Sequence, residues 1–69
     1  MSAADDFFKK GLAAYSVRDF SSAEKFFSSA LCENPKNANY FYYRGECFSE
    51  LGKTAEAIDD YSKALEICP

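Results

Sequence analysis

The chain has 69 residues, which is enough for one small domain and too few for two. Hydrophobic residues make up 48% of it and aromatic residues 17%, a composition that excludes a disordered chain. The net charge is -3, and no basic cluster of the kind that neutralises phosphates stands out, so we expect no nucleic-acid partner.

The sequence contains three cysteines and no histidine. An odd number of cysteines cannot all pair within one chain, and Cys32, Cys47 and Cys68 show no CxxC spacing. We therefore predict reduced thiols in an intracellular, cytoplasmic protein rather than a disulfide framework or a zinc site. The first ten residues, MSAADDFFKK, carry two aspartates and two lysines and lack a long apolar run, so neither a signal peptide nor a membrane contact is expected.

Helical spacing predicts four helices, and no strand pattern competes with them. They cover residues near 3–16, 20–33, 38–51 and 55–67. In the first helix Phe7, Gly11 and Ala14 fall at i, i+4 and i+7 and so share one face. The polar segment SVRDF follows, and Asp19 within it is placed to cap the second helix by accepting hydrogen bonds from free N–H groups.

The second helix carries its own stripe of Ala23, Phe27 and Ala30. Pro35 ends this helix, because it has no N–H and its ring disfavours a helical conformation at the preceding residue. Asn37 is then the predicted N-cap of the third helix.

The third and fourth helices repeat the plan. Phe41, Gly45 and Phe48 form one stripe, Gly52 suits the end of the third helix, and Thr54 predicts the cap of the fourth. Residues of the two halves match at a constant offset of 34, and a fixed period of this size indicates a repeat architecture. The matched pairs are Phe7/Phe41, Gly11/Gly45, Ala23/Ala57, Phe27/Tyr61, Ala30/Ala64, Leu31/Leu65 and Pro35/Pro69.

The recurring small residues predict close contact between paired helices. Glycine within a helix costs roughly 1 kcal/mol relative to alanine, so its recurrence at Gly11 and Gly45 suggests a steric reason. We expect each glycine to face the second helix of its own unit, with Ala23 and Ala57 at the close approach from the other side.

This pattern resembles the tetratricopeptide repeat (TPR), a 34-residue helix–turn–helix unit. The resemblance implies an all-α fold, in which two TPR helix–turn–helix repeats, with four antiparallel helices, form a short right-handed α-solenoid. We expect a single domain over residues 1–69, with repeat 1 at 4–37 and repeat 2 at 38–69. The structural residues that carry the resemblance are Phe7, Gly11, Ala23, Phe27, Ala30, Pro35, Phe41, Gly45, Ala57, Tyr61, Ala64 and Pro69.

The sequence departs from the family pattern at three places. Lys10 and Arg44 stand where leucine is usual, and Ala14 stands where tyrosine is preferred. We expect the long stems of Lys10 and Arg44 to cover apolar surface while their charges reach water.

The resemblance implies a protein–protein interaction module, an adaptor or scaffold that binds a peptide or helix of a partner protein in its concave groove. The residues expected to line this peptide-binding groove are Phe8, Leu12, Tyr15, Asn39, Tyr42, Tyr43 and Glu46. Their aromatic and acidic character suits an apolar or basic partner segment. Tyr42 is the preferred groove residue, whereas Phe8 and Tyr15 are as well explained by packing between helices.

Two alternatives stay open. In a co-chaperone-type TPR, lysine, asparagine and arginine grip the C-terminal tail of Hsp70 or Hsp90, but here Phe8, Leu12 and Tyr43 stand at such places. In a self-associating structural fragment of a longer TPR protein, a homo-oligomer forms through an uncapped fourth helix. The side chains expected to be uncovered on that helix are Ile58, Leu65 and Ile67.

An enzyme is not expected. There is no histidine, no glycine-rich phosphate loop and no nucleophile–base pair in the sequence. We predict no catalytic residues, no cofactor and no metal ligands.

Overall fold

A computed structural model describes residues 2–69 of the chain, so the first residue of the predicted domain lies outside the described residues. Residues 2–69 form four α-helices joined by short turns, which confirms the all-α fold of two helix–turn–helix units. The helices are α1 (Ala3–Ser16), α2 (Phe20–Glu33), α3 (Ala38–Glu50) and α4 (Thr54–Ile67). Packing joins α1 to α2, α3 to α4, and the two pairs to each other through α2 and α3.

Side-chain caps fix where three of the helices begin. The side chain of Ser2 accepts from the N–H of Asp5 at 3.1 Å and opens α1. The predicted caps of α2 and α3 are confirmed, since Asp19 accepts from the N–H of Ser22 at 3.3 Å and Asn37 from that of Asn39 at 2.9 Å. These acceptors satisfy donors that the first turn of a helix leaves free.

The predicted cap of α4 is wrong. Thr54 is the first residue of the helix, and Lys53 stands at the cap position without a side-chain capping bond within the described residues. The preceding turn sets this position, because Gly52 adopts φ +79° and the N–H of Lys53 donates to the carbonyl of Phe48 at 2.8 Å. Such a turn satisfies the last carbonyls of α3 and brings the chain into α4 one residue earlier than expected.

The turn between α1 and α2 has the same geometry as the turn between α3 and α4. Arg18, which is 34 residues before Gly52, has φ +65°, and the N–H of Asp19 donates to the carbonyl of Ala14 at 2.9 Å. A left-handed conformation is unfavourable for a residue with a Cβ atom. The repeat therefore imposes its turn geometry even where the sequence lacks glycine.

The buried core forms two neighbouring clusters. One contains Ala4, Ala30, Leu31 and Tyr40, and the other contains Ala23, Phe27 and Cys47. Each cluster takes residues from both helix pairs, so the same side chains that hold each pair together also join the pairs.

The predicted structural residues differ in their exposure. Gly11, Ala23, Phe27, Ala30, Gly45 and Ala57 are buried, Phe7, Phe41, Tyr61 and Ala64 are half-buried, and Pro35 and Pro69 are exposed. A Cβ atom on Gly11 would lie 2.5 Å from the ring of Phe27, and one on Gly45 would lie 3.1 Å from the ring of Tyr61. An aromatic ring thus rests directly on each glycine.

The expectation that the charge of Arg44 reaches water is wrong. Its Nε donates to Oδ2 of Asp60 at 2.7 Å and its Nη2 to Oδ1 at 2.9 Å, while Nη1 donates to Oγ of Ser28 at 3.2 Å. The Asp60 side chain is only 2% exposed. The hydrogen bond to Asp60 raises the pKa of Arg44 against the opposing effect of burial. The two-pronged ion pair satisfies a carboxylate that would otherwise be buried alone.

None of the helices within residues 2–69 has the length and the apolar character needed to cross a membrane.

Candidate partner-binding surface

Most of the predicted groove residues of the first helix pair are partly enclosed by aromatic packing. The ring of Phe8 lies 5.6 Å from that of Phe27, 4.9 Å from that of Tyr40 and 5.6 Å from that of Tyr43. Leu12 packs against the core cluster that contains Phe27. The structure therefore gives Phe8 a large role in joining the two helix pairs and leaves part of its surface for a ligand.

Tyr15 and Tyr43 extend this aromatic packing along the α1–α3 face. Their ring centroids are 5.8 Å apart and nearly perpendicular, and Tyr15 also meets Phe20 edge-on at 5.5 Å. Such edge-to-face pairs fix the rings in place. Burial, followed by the charge of Glu46, raises the pKa of Tyr15, so its hydroxyl stays neutral in ordinary conditions.

Tyr42 is the most open aromatic side chain on this surface, at 46% exposed. Its ring meets that of Tyr43 edge-on at 5.3 Å and that of Tyr61 at 5.8 Å. The hydroxyl of Tyr61 donates to Oε1 of half-buried Glu46, and burial, followed by this hydrogen bond, raises the pKa of Tyr61. Asn39 is exposed one turn before Tyr42. Tyr42 thus packs against side chains that are themselves held in place.

A groove with a cavity volume of about 370 Å³ opens beside Tyr42, between α3 and α4. Its lining consists of Ala38, Asn39, Tyr42, Tyr61, Ala64, Leu65 and Cys68. The lining is mainly apolar, and Leu65 is 64% exposed. An apolar side chain of a partner would fit such a surface better than a charged one.

The structure brings only part of the predicted groove set to this opening. Asn39 and Tyr42 of α3 line it, whereas the other five predicted residues are not among its lining residues. The predicted groove residues include none from α4. The spacing of Tyr61, Ala64, Leu65 and Cys68 at i, i+3, i+4 and i+7 is the signal that would have found this side of the groove.

The prediction that α4 presents apolar residues on its outer side is confirmed. Ile58 is 59% exposed and Ile67 is 41% exposed, in addition to Leu65. Leu65 lines the groove beside Tyr42, whereas Ile58 and Ile67 are not among the lining residues. Apolar side chains are therefore exposed on α4 both within the groove and outside it.

The tetratricopeptide repeat family model matches residues 38–69, which span α3 and α4. The chain is 30% identical over 66 residues to Hsp70-Hsp90 organizing protein 1 of Glycine max, a match that covers 96% of the chain and 12% of that relative. It is 35% identical over 66 residues to Protein STIP1 homolog of Dictyostelium discoideum, with the same two coverages of 96% and 12%. The chain belongs to the tetratricopeptide repeat family.

A further TPR relative is named for its repeats. The chain is 35% identical over 60 residues to Small glutamine-rich tetratricopeptide repeat-containing protein 2 of Mycosarcoma maydis, a match that covers 87% of the chain and 17% of that relative. The chain spans less than a fifth of the length of each of these three relatives. What the relatives share with it is therefore a TPR segment rather than a whole protein.

Proposed function

We propose that this chain is a TPR protein-interaction module, an adaptor or scaffold that holds a peptide or helix of a partner protein on the face formed by α1 and α3. The proposal treats residues 1–69 as one non-catalytic domain with tandem repeats at 4–37 and 38–69. The family match and the relatives named above support a protein-binding role. Free thiols at Cys32 and Cys68, both exposed, favour an intracellular site of action.

The observation that carries the proposal is the setting of Tyr42. Tyr42 is 46% exposed, but its ring packs against those of Tyr43 and Tyr61, and its neighbours Asn39 and Glu46 offer polar groups one turn away on either side. An aromatic side chain that is already fixed loses little conformational entropy when a ligand covers it. Exposed, pre-ordered tyrosines of this kind are frequent anchors in protein interfaces.

The charges on this face favour an apolar or basic partner segment. Asp5 is exposed on α1, Glu46 is half-buried on α3, and the whole chain carries a net charge of -3. An acidic partner would be repelled by these carboxylates, whereas a basic one would be steered toward them. The aromatic rings then supply the apolar contact.

Selected peptide ligands provide a direct test. A displayed peptide library is selected against the 69-residue chain, and the affinities of the selected peptides are measured by calorimetry. Tyr42→Ala should weaken binding by roughly tenfold or more while leaving the helical circular dichroism unchanged. Ile58→Ala is the matched control, since Ile58 is 59% exposed and does not line the groove. Equal affinities for Tyr42→Ala and the parent would refute the assignment.

A second candidate function is binding of a chaperone tail, which the names of the Glycine max relative and other Hsp70-Hsp90 organizing proteins favour. Against it, the places at which the family's carboxylate clamp carries its lysine and asparagines hold Phe8, Leu12 and Tyr43. The C-terminal peptides of Hsp70 and Hsp90 should therefore bind no better with a free carboxylate than with an amide. A strong preference for the free carboxylate would establish the clamp.

A further inference from the structure

Arg44 shows how this chain holds a guanidinium group. Its Cζ atom lies 5.8 Å from the ring centroid of Phe41 and 5.6 Å from that of Phe48. The same group donates two hydrogen bonds to the carboxylate of Asp60. A guanidinium is planar and weakly hydrated, so it can meet aromatic rings and a carboxylate at the same time. Arg44 is therefore held by one anion together with aromatic walls.

Arg18, the other arginine of the sequence, meets the same two kinds of group. Its Cζ atom lies 5.3 Å from the ring centroid of Phe20, and its Nη2 lies 3.6 Å from Oε1 of Glu50. Both side chains of this ion pair are exposed, whereas the carboxylate that holds Arg44 is buried. A carboxylate beside an aromatic ring is thus the setting in which this chain places its arginines, at the surface as well as inside.

Glu46 is a carboxylate with aromatic neighbours on three helices. Its Oε1 accepts from the hydroxyl of Tyr61 on α4, and Tyr42 stands one turn before it on α3. Burial, followed by the charge of Glu46, raises the pKa of Tyr15 on α1, so this charge acts across the α1–α3 face. The ring of Tyr43 lies between the others, 5.3 Å from that of Tyr42 and 5.8 Å from that of Tyr15. These five residues form one connected group, here called the Glu46 cluster.

The Glu46 cluster contains an anion and aromatic rings but no cation from within residues 2–69. None of the ion pairs formed in that part of the chain includes Glu46. Its hydrogen bond to Tyr61 engages Oε1 alone. No buried side-chain oxygen of the described residues lacks a hydrogen-bond partner, so the unbonded Oε2 of half-buried Glu46 reaches solvent. Tyr42 beside it is 46% exposed, which leaves both an acceptor and a ring accessible to a ligand.

We propose that the Glu46 cluster binds an arginine side chain of the partner peptide. The guanidinium donates to Oε2 of Glu46 and packs against the exposed ring of Tyr42. This inference rests on the proposed protein-binding function and names the residue type that the face recognises. Charge complementarity supports it, since the chain carries a net charge of -3. Arginine fits better than lysine, because its planar group can meet the ring and the carboxylate together, as Arg44 does.

The first helix pair has no equivalent of this cluster. The residue 34 positions before Glu46 is Leu12, and the one before Tyr42 is Phe8. Leu12 packs against the core cluster that contains Phe27, and neither Leu12 nor Phe8 offers an acceptor to a cation. The arginine site is therefore a property of these particular residues and is absent from the corresponding positions of the first unit.

Titration with N-acetylargininamide tests the site directly. The isotopically labelled full chain is observed by nuclear magnetic resonance, and shifts of its backbone amides are followed as the ligand is added. N-acetylcitrullinamide is the matched control ligand, since its side chain has nearly the same shape without the charge. We expect saturable shifts at Tyr15, Tyr42 and Glu46 with a roughly millimolar dissociation constant. The citrulline compound should bind at least roughly tenfold more weakly.

Two protein variants locate the bound guanidinium. Glu46→Gln removes the charge but keeps an oxygen that can accept from Tyr61, so the fold should be retained while affinity for N-acetylargininamide falls by roughly tenfold. Glu56→Gln removes the same charge at an exposed position in the first turn of α4 and should leave the affinity unchanged. Circular dichroism checks that both variants fold. Equal affinities for Glu46→Gln and the parent, equal binding of the two ligands, or no binding at all would overturn the proposal.

Peptides selected against the chain separate this inference from the proposed function. Replacing their arginine by citrulline should weaken binding to the parent by roughly tenfold and should change binding to Glu46→Gln much less. If the peptides depend on Tyr42 but not on an arginine, the proposed function stands and this inference alone fails. If N-acetylargininamide binds at Glu46 but no peptide is selected, the arginine site is established and its assignment to a partner peptide fails. Self-association in sedimentation that Glu46→Gln abolishes would make an arginine of a second copy the occupant and overturn the separate partner.

Discussion

Replacing Gly11 by alanine tests how closely α1 and α2 approach each other. The new Cβ atom would lie 2.5 Å from Cε1 and 2.7 Å from Cδ1 of Phe27. Carbon atoms in contact prefer separations of about 3.5–4.0 Å, so the ring or the helix has to move by about 1 Å. Phe27 is 0% exposed and packs against Phe8 and Tyr43, so its ring has no solvent-filled space to enter.

The expected loss of stability in Gly11→Ala follows from two opposing effects. Alanine improves the intrinsic helix propensity by about 1 kcal/mol relative to glycine. Overpacking a filled core costs about 1–3 kcal/mol, and so short a contact with a fully buried ring belongs near the upper end. We therefore expect Gly11→Ala to lower the free energy of unfolding by about 2 kcal/mol, which in a domain of this size lowers Tm by roughly 10 °C.

Gly45→Ala is the matched comparison. Its Cβ atom would lie 3.1 Å from the ring of Tyr61 and 3.3 Å from Cβ of Asp60, and half-buried Tyr61 has room to shift. We expect the propensity gain and the crowding to cancel to within about 1 kcal/mol. Urea unfolding followed by far-UV circular dichroism measures both variants. A Gly11→Ala protein as stable as the parent, or less affected than Gly45→Ala, would refute the steric explanation.

Two further predictions concern buried polar groups. Arg44→Met should lower the free energy of unfolding by about 3 kcal/mol, because it leaves Asp60 buried without its ion pair. The double variant Arg44→Met/Asp60→Leu should lose clearly less free energy of unfolding in the same urea experiment. Burial raises the pKa of the Cys47 thiol to about 12 from 9.0, so Cys32 and Cys68 should react with a thiol reagent at pH 8 while Cys47 reacts only after unfolding. Because the pKa of Cys47 is higher in the folded state, the protonated thiol contributes to stability in full below pH 9, and this contribution is lost as the pH rises toward 12. Cys47→Ala should therefore remove the corresponding part of the alkaline loss in the free energy of unfolding, as measured by urea unfolding.

The helices and most of their boundaries could be predicted because local chemistry determines them. Asp19, Asn37 and Pro35 act on the turn in which they stand, and the structure has a helix beginning or ending at each of those turns. The predicted start of α4 was wrong by one residue, and the cause is also local. The hydrogen bonds of the turn around Gly52 outweighed the capping preference of Thr54. Periodicity and turn residues are thus sufficient for the fold of this chain.

The candidate site was harder to predict because it depends on which helix faces which. Arg44 and Asp60 are 16 residues apart, and the ion pair between them exists only because α3 and α4 pack side by side. A period of 34 shows that Arg44 keeps the positive charge of its first-half equivalent Lys10, whereas Asp60 stands where the first half has Phe26, so only the second half offers the cation a carboxylate. Helical spacing alone gave the exposed side of α3 but not the contribution of α4 to the groove.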